Sequence, residues 1–340
     1  MNASANIDLR RRDFLACSSA LGAAGLFGLP HHALAADPPA ESTRVRLVHA
    51  PYACFGPMYL AEEFFRMEGI ADWEYLPLGS RNGGIDAIAD GRADITMWDV
   101  CSPITRIAAG QPIVVLAGVH GGCWELFGNE RVRAIRDLKG KSPAVHFLGG
   151  GDHVLLSSML ASVGIDPQKD VHWVTGGGAD AKDVFANGKA DAFMGFAQEP
   201  AELRAKNAGH VILKTAVDRP WSQYFCCVVI ANRDFVARYP VATKRVLRSI
   251  LKSADICAAD PERVARFLVD MRYETRYPIG LEVMKNTSYT RWRHDNPEDT
   301  LRYHALRLRE AGMLKSPPQE IIAKGTDWRF LNEVKRELKA

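Results

Sequence analysis

GSRNGGIDAIADGRADITM, residues 79–97, and GGGADAKDVFANGKADAFM, residues 176–194, lie over one another at a constant offset of 97. Identities fall at Gly79/Gly176, Asp86/Asp183, Ala89/Ala186, Gly91/Gly188, Ala93/Ala190, Asp94/Asp191 and Met97/Met194, and Arg92 stands opposite Lys189. The same offset pairs Val48-His49 with Val145-His146. A segment that recurs in this way is one structural unit used twice. The first copy reads as strand, helix, strand, helix, strand. It has an apolar run at 45–50, an amphipathic helix near 58–67, a strand at 73–78, a glycine-led helix at 84–90 and a strand at 93–98. Gly91 and Gly188 stand where a helix end needs a left-handed residue. Strands alternating with helices imply right-handed crossovers and a parallel sheet. The expected fold class is α/β, with two lobes built on duplicated βαβαβ units.

Beyond the second copy the pattern changes. Residues 224–231 form a strongly apolar strand without a partner in their own segment, so this strand should return to the first lobe's sheet. Asn232 then opens a helix, 241–259 and 261–271 read as amphipathic helices, and Asn296-Pro297-Glu298 starts another with proline just inside its cap. These helices should cover the first lobe. The expected division is lobe 1 at 41–128 plus 221–340 and lobe 2 at 129–220, with hinges near 129–137 and 215–220.

The chain has 340 residues, 47% hydrophobic and 24% charged, which excludes disorder and coiled-coil architecture. A formal charge of +3 is too balanced for a nucleic-acid groove or a polybasic membrane anchor, so no nucleic-acid partner is expected. Residues 1–35 read as a twin-arginine signal peptide. Arg10-Arg11-Arg12-Asp13-Phe14-Leu15 is followed by a weakly apolar run containing Gly22, Gly25 and Gly28, and Ala33-Leu34-Ala35 supplies the cleavage site. A spanning anchor would need about 20 strongly apolar residues, and this run is shorter and closed by Pro30. The expected product is a monomer exported to the periplasm.

A twin-arginine leader, two duplicated α/β lobes and a helical C-terminal cover together resemble a periplasmic solute-binding protein of an ABC importer, with the two-lobed type II fold. The nearer resemblance is to the nitrate/sulfonate/taurine-binding group. It is carried by GGIDAIADGRAD at 83–94, by Gly-Lys-Ala-Asp at 188–191 and by residues 225–235. The group is also similar to the eukaryotic pyrimidine synthases of thiamine synthesis. The resemblance implies that a small polar or anionic molecule (a sulfonate, carboxylate, nitrate or pyrimidine-like compound) closes between the lobes. It is then passed to an inner-membrane permease driven by a separate ATPase. The sequence has no Walker A pattern, no Gly-x-Ser-x-Gly elbow and no His-Glu-x-x-His helix. No catalytic residue, cofactor or metal is therefore expected. The alternatives are a pyrimidine-synthase-like enzyme and a soft-metal carrier. The synthases' cysteine-rich motif falls in the region matching Tyr224-Phe225-Cys226-Cys227, which holds only two cysteines.

In open α/β sheets ligands bind beyond the carboxyl ends of the strands. That rule selects Tyr52 and Cys54 after the first strand, and Gly79, Ser80 and Arg81 after the second. Trp98, Asp99 and Cys101 follow the third, and His120 and Trp124 the fourth. The second lobe offers Gly150, Asp152, His153, Gly177, Gln198 and Glu199, and Trp221 and Gln223 precede the returning strand. Glycine clusters lead into helices at Gly84, Gly151 and Gly178, either as tight turns or as anion-binding helix starts. Tyr52, Trp98, Trp124, Phe147 and Trp221 favour a planar or apolar part in the ligand. His49 and His146 read as core or rim histidines, and His153 as a ligand contact. Asp99 could accept from a ligand amine or cap the helix that follows.

Once the leader has gone, Cys54, Cys101, Cys123, Cys226, Cys227 and Cys257 remain. An oxidising compartment allows a disulfide, with its pairing open. Cys226 and Cys227 should point to opposite faces of their strand. Cys54, Cys101 and Cys123 could form a soft-metal set, yet Cys-x-x-Cys is absent. Small buried hydrophobes are the plainer reading.

Overall fold

Asp94 and Asp191, which close the repeated motif, play the same part in both copies. The Asp94 carboxylate accepts the Arg46 backbone N–H at 2.7 Å and pairs with the Arg46 guanidinium. Asp191 accepts the Ser142 N–H at 3.0 Å and pairs with Arg131 and Asn129. In each copy the aspartate ties the start of one strand to the start of another, after a turn that Gly91 (φ +70°) and Gly188 (φ +73°) make in the left-handed region. The repeat therefore records a local folding solution.

The computed structural model describes residues 38–79, 83–176 and 180–339. The twin-arginine leader, Ser80, Arg81 and Gly177 lie outside the described residues. The first copy supplies strands β1 (Arg44–His49), β2 (Asp72–Pro77) and β3 (Ile95–Asp99), followed by β4 (Ile113–Gly121) and β5 (Trp124–Gly128). The second supplies β6 (Pro143–Val145), β7 (Val174–Thr175), β8 (Ala192–Phe196) and β9 (His210–Lys214), and β10 is the returning strand Phe225–Asn232. β1 and β2 pair in parallel, as do β6 with β7 and with β8. β10 returns to the first copy as its apolar sequence predicts, but it inserts antiparallel between β3 and β4, and these three form a sheet apart from β1–β2 in place of the single parallel sheet expected. β10 is buried along its whole length, as is β4, so both read as continuous apolar runs. β5 hydrogen-bonds to β8 and β9, so the chain passes from one sheet to the other between Gly121 and Trp124.

The expected helix at 58–67 is two short pieces, Gly56–Leu60 and Glu62–Phe65. The C-terminal helices start where their caps predict: Asn232 accepts from the Asp234 and Phe235 N–H groups, and Asn296 from that of Glu298. Their cover reaches further than expected. Helix Pro297–Glu310 packs against helix Gly151–Ser162 of the second copy, and Gln168 Nε2 donates to the Ala311 carbonyl at 3.0 Å. Among the described residues, no helix is long and apolar enough to cross a membrane.

Candidate functional site

β3 ends on Asp99, and its carboxylate caps the helix Cys101–Ala108. Oδ1 accepts the Cys101 and Ser102 N–H groups at 2.9 and 2.8 Å, and Oδ2 accepts the Ser102 hydroxyl at 2.7 Å. Burial raises its pKa, those hydrogen bonds oppose the rise, and the nearby charge of Asp152 adds to it. The same carboxylate lies directly over Gly151, the first residue of helix Gly151–Ser162, where a Cβ would sit 2.6 Å from the Asp99 Cγ. Gly151 thus lets an element of the second copy meet a strand end of the first. Gly84 does similar service, since a Cβ there would lie 2.3 Å from the Trp98 ring.

Around this meeting point is a cavity of about 450 Å³, including its mouth. Six aromatic rings line it: Tyr52, Phe55, Trp98, Trp124, Phe147 and Phe196. Tyr52 stands edge-on to Phe196 at 4.8 Å between centroids, and Trp124 is tilted against Phe196 at 4.3 Å. Asp99, Ser102, His146, Gly151 and Asp152 form the polar wall. A second cavity of about 320 Å³ shares Asp99 and Trp124 and adds Cys101, Thr215, Trp221, Tyr224, Cys226 and His304. Neither cavity is lined by Lys or Arg among the described residues.

His146 is the electrostatic centre of the polar wall. Its Nδ1 lies 2.9 Å from Asp152 Oδ2 and its Nε2 lies 3.0 Å from Glu199 Oε1. Burial alone would lower its pKa, but the Asp152, Asp180 and Glu199 carboxylates raise it to about 11. The ring is therefore an imidazolium at neutral pH. His146, Asp180 and Glu199 are close enough to share a cation; the protonated ring already supplies one. Glu199 also accepts the Phe196 N–H at 2.9 Å, which holds this group to the end of β8.

Of the residues selected from sequence, Tyr52, Trp98, Asp99, Trp124 and Asp152 meet in the first cavity, and Cys101 and Trp221 join the second. Glu199 sits behind His146. Gly150 caps helix Gly151–Ser162, where its missing side chain leaves room for Phe147. Gln198 reaches across instead, donating to the Pro51 carbonyl at 2.8 Å. His153 accepts from the Gly149 N–H and stands edge-on to Trp173, and it lines neither cavity. Gln223 is exposed and lines neither, Gly79 follows β2 with φ +68° and lines neither, and Cys54 and His120 are buried behind the wall. Cys123 pairs with Cys226 in a disulfide. Cys226 and Cys227 do not point to opposite faces: their sulfurs are 3.7 Å apart. The register of β10 against β4 shifts between Phe225 and Cys227, and this bulge breaks the alternation on which the expectation rested.

The strand-end rule also reaches Phe55 and Ser102, whereas sequence reasoning missed His146, Thr215 and His304 as lining residues. A strand-end rule could have kept His146, which directly follows β6. His304 comes from a helix whose position no local signal specifies.

A family model described as NMT1/THI5 like matches residues 53–264. The nitrate/nitrite binding protein NrtA of Nostoc sp. (strain PCC 7120 / SAG 25.82 / UTEX 2576) is 23% identical over 275 residues, 69% of this chain. The chain spans 59% of that relative's length. The periplasmic nitrate-binding protein NrtA from Synechocystis PCC 6803 superimposes with a TM-score of 0.73 at 18% identity, over 89% of this chain and 90% of that one. The alkanesulfonate-binding protein SsuA from Xanthomonas axonopodis pv. citri, bound to MOPS, gives 0.67 at 15% identity, over 86% and 96%. Likeness at these identities shows the α/β periplasmic-binding-protein fold.

Proposed function

This chain belongs to the NMT1/THI5-like family, and on that premise we propose that it is the periplasmic solute-binding component of an ABC importer, exported by the twin-arginine route. It captures one small organic molecule between two lobes and delivers it to a membrane permease with its ATPase. The observation that carries the reading is the first cavity, whose aromatic and polar walls come from both copies of the repeat. In this reading the lobes divide where the chain crosses between sheets, at 122–123 and again at 215–224; the first crossing precedes the boundary at 128/129 and the hinge at 129–137 expected from sequence, because β5 hydrogen-bonds to β8 and β9. Asp99 against Gly151 and Gln198 against Pro51 are the contacts that close them. No catalytic role is assigned.

Within the ligand classes that the resemblance implies, the walls favour a flat, nitrogen-bearing molecule of pyrimidine type. Its ring would lie against Trp98, Trp124 and Phe196, and its N–H groups would face Asp99 and Asp152. Two carboxylates against one imidazolium suit a hydrogen-bond donor better than a nitrate or sulfonate. A thermal-shift screen of aminopyrimidines, aromatic carboxylates, alkanesulfonates and nitrate tests this, since a ligand that binds the native state raises the melting temperature. Aminopyrimidines should give the largest shift. Stabilisation by nitrate or sulfonates alone would refute the assignment of the polar wall.

A further inference from the structure

Behind the first-sheet wall lies a group of side chains that the proposed ligand site does not use. Cys54, His120, Cys123 and Cys227 each present a sulfur or ring nitrogen, and these atoms all lie within 4.8 Å of one another. All four residues are buried. The topology gathers them. Cys227 on β10 is opposite His120 on β4, Cys123 lies two residues past the end of β4, and Cys54 lies in the short 3-10 helix Ala53–Phe55 after β1. Neither ring nitrogen of His120 makes a well-aligned hydrogen bond, although the residue is wholly buried and the Gly121 and Cys54 backbone lies beside the ring. Buried polar groups are almost always satisfied, so such an imidazole asks for a further partner. An imidazole in its neutral form has one ring lone pair to give to a metal ion.

We propose that reduction of the Cys123–Cys226 disulfide completes a three-cysteine, one-histidine site for a single zinc(II) ion, with Cys54, Cys123, Cys227 and His120 as ligands. A dithiol reductant supplies two electrons and two protons. The S–S bond breaks, Cys123 and Cys226 become thiols, and the reductant leaves as its own disulfide. Zinc then takes the places of the Cys54, Cys123 and Cys227 thiol protons and accepts the His120 lone pair, so three protons leave and the centre carries one net negative charge. In the oxidised chain the disulfide withholds one of the four ligands. Cys226 lines the second cavity, which gives the ion a way in from the cleft. The expectation of a site from Cys54, Cys101 and Cys123 is thereby revised: His120 and Cys227 enter the set, and Cys101 leaves it.

The full chain is titrated with zinc(II), and with cobalt(II) as its spectroscopic probe, before and after reduction by a dithiol under anaerobic conditions. The reduced chain should bind one ion per molecule, and cobalt should give intense thiolate charge-transfer bands with tetrahedral ligand-field bands. The oxidised chain should give neither. His120→Ala and Cys227→Ser should weaken zinc binding in the reduced chain by at least about tenfold, while Cys257→Ser, buried outside the cluster, should leave it unchanged. No binding after reduction, equal binding in both redox states, or full binding by His120→Ala would each overturn the proposal. Should Cys227→Ser fail to fold by circular dichroism, the cobalt spectrum of the unsubstituted chain decides alone, because its charge-transfer intensity counts the thiolates.

Discussion

His146 holds its proton because the Asp152, Asp180 and Glu199 carboxylates face its ring, and this makes a testable pH dependence. Its unfolded pKa is about 6.5, and in the folded chain it rises to about 11. A group with a raised folded pKa contributes fully below its unfolded value, and its contribution is lost as pH climbs through the folded one. Between pH 7 and 9 the folded chain therefore holds a proton that the unfolded chain has released, which costs up to about 1.4 kcal/mol per pH unit. Urea midpoints should fall across that range, and His146→Gln should flatten the slope. Equal slopes in the two proteins would mean that the proton is elsewhere. His120 and His304 act on the acid side. Burial lowers them to about 3 and about 4, so the stability they confer is present above about pH 6.5 and is lost as pH falls. Trp124 lines both cavities, and Trp124→Ala should weaken ligand binding by about 1 kcal/mol or more through the lost ring face. A variant that melts far lower yet binds equally well while folded would make Trp124 a core residue only. Asp99 was legible as a cap because its side chain needs only the next helix turn. His146 was not, because Asp152 and Glu199 reach it from a helix start and from a second strand end.

Two glycines fix how elements approach one another. At Gly151 a methyl group would meet the Asp99 carboxylate at 2.6 to 2.8 Å, and relief requires that carboxylate to leave its cap hydrogen bonds or the helix to move away from β3. Gly151→Ala should therefore lower ligand affinity by about tenfold or more, roughly 1.4 kcal/mol, with a smaller change in the melting temperature of the free protein. Unchanged affinity would show that the two elements need not touch when ligand is bound. At Gly84 the obstruction is the Trp98 ring, inside one lobe. Gly84→Ala should instead act on folding, by about 1–3 kcal/mol as other overpacked sites do, as read from urea unfolding. The glycine clusters could be seen in the sequence. Their reason could not, because what each glycine makes room for is a residue that approaches from another element.

For the molecule as a whole, the proposed function requires an open form in which Gln198 has left Pro51 and Asp99 has left Gly151. Small-angle scattering should show a smaller radius of gyration when a ligand proven by thermal shift is added. Identical curves with and without that ligand would refute hinge closure. Helix Pro297–Glu310 must slide or turn against helix Gly151–Ser162 in that motion, with Ser158 and His304 3.5 Å apart across the contact.

By itself the sequence determined the α/β class, the duplicated unit, the return of the strand at 225–232 and the helix caps. Each of these rests on local periodicity, on a cap within a few residues, or on a repeat that aligns with itself. Tertiary structure alone decided which faces meet. The bulge that brings the Cys226 and Cys227 sulfurs together, the pairing of Cys123 with Cys226, the two carboxylates about His146 and the arrival of His304 at the second cavity all join residues far apart in the chain. No local pattern encodes such meetings, because they follow from how three sheets and a helical cover pack to bury their apolar faces.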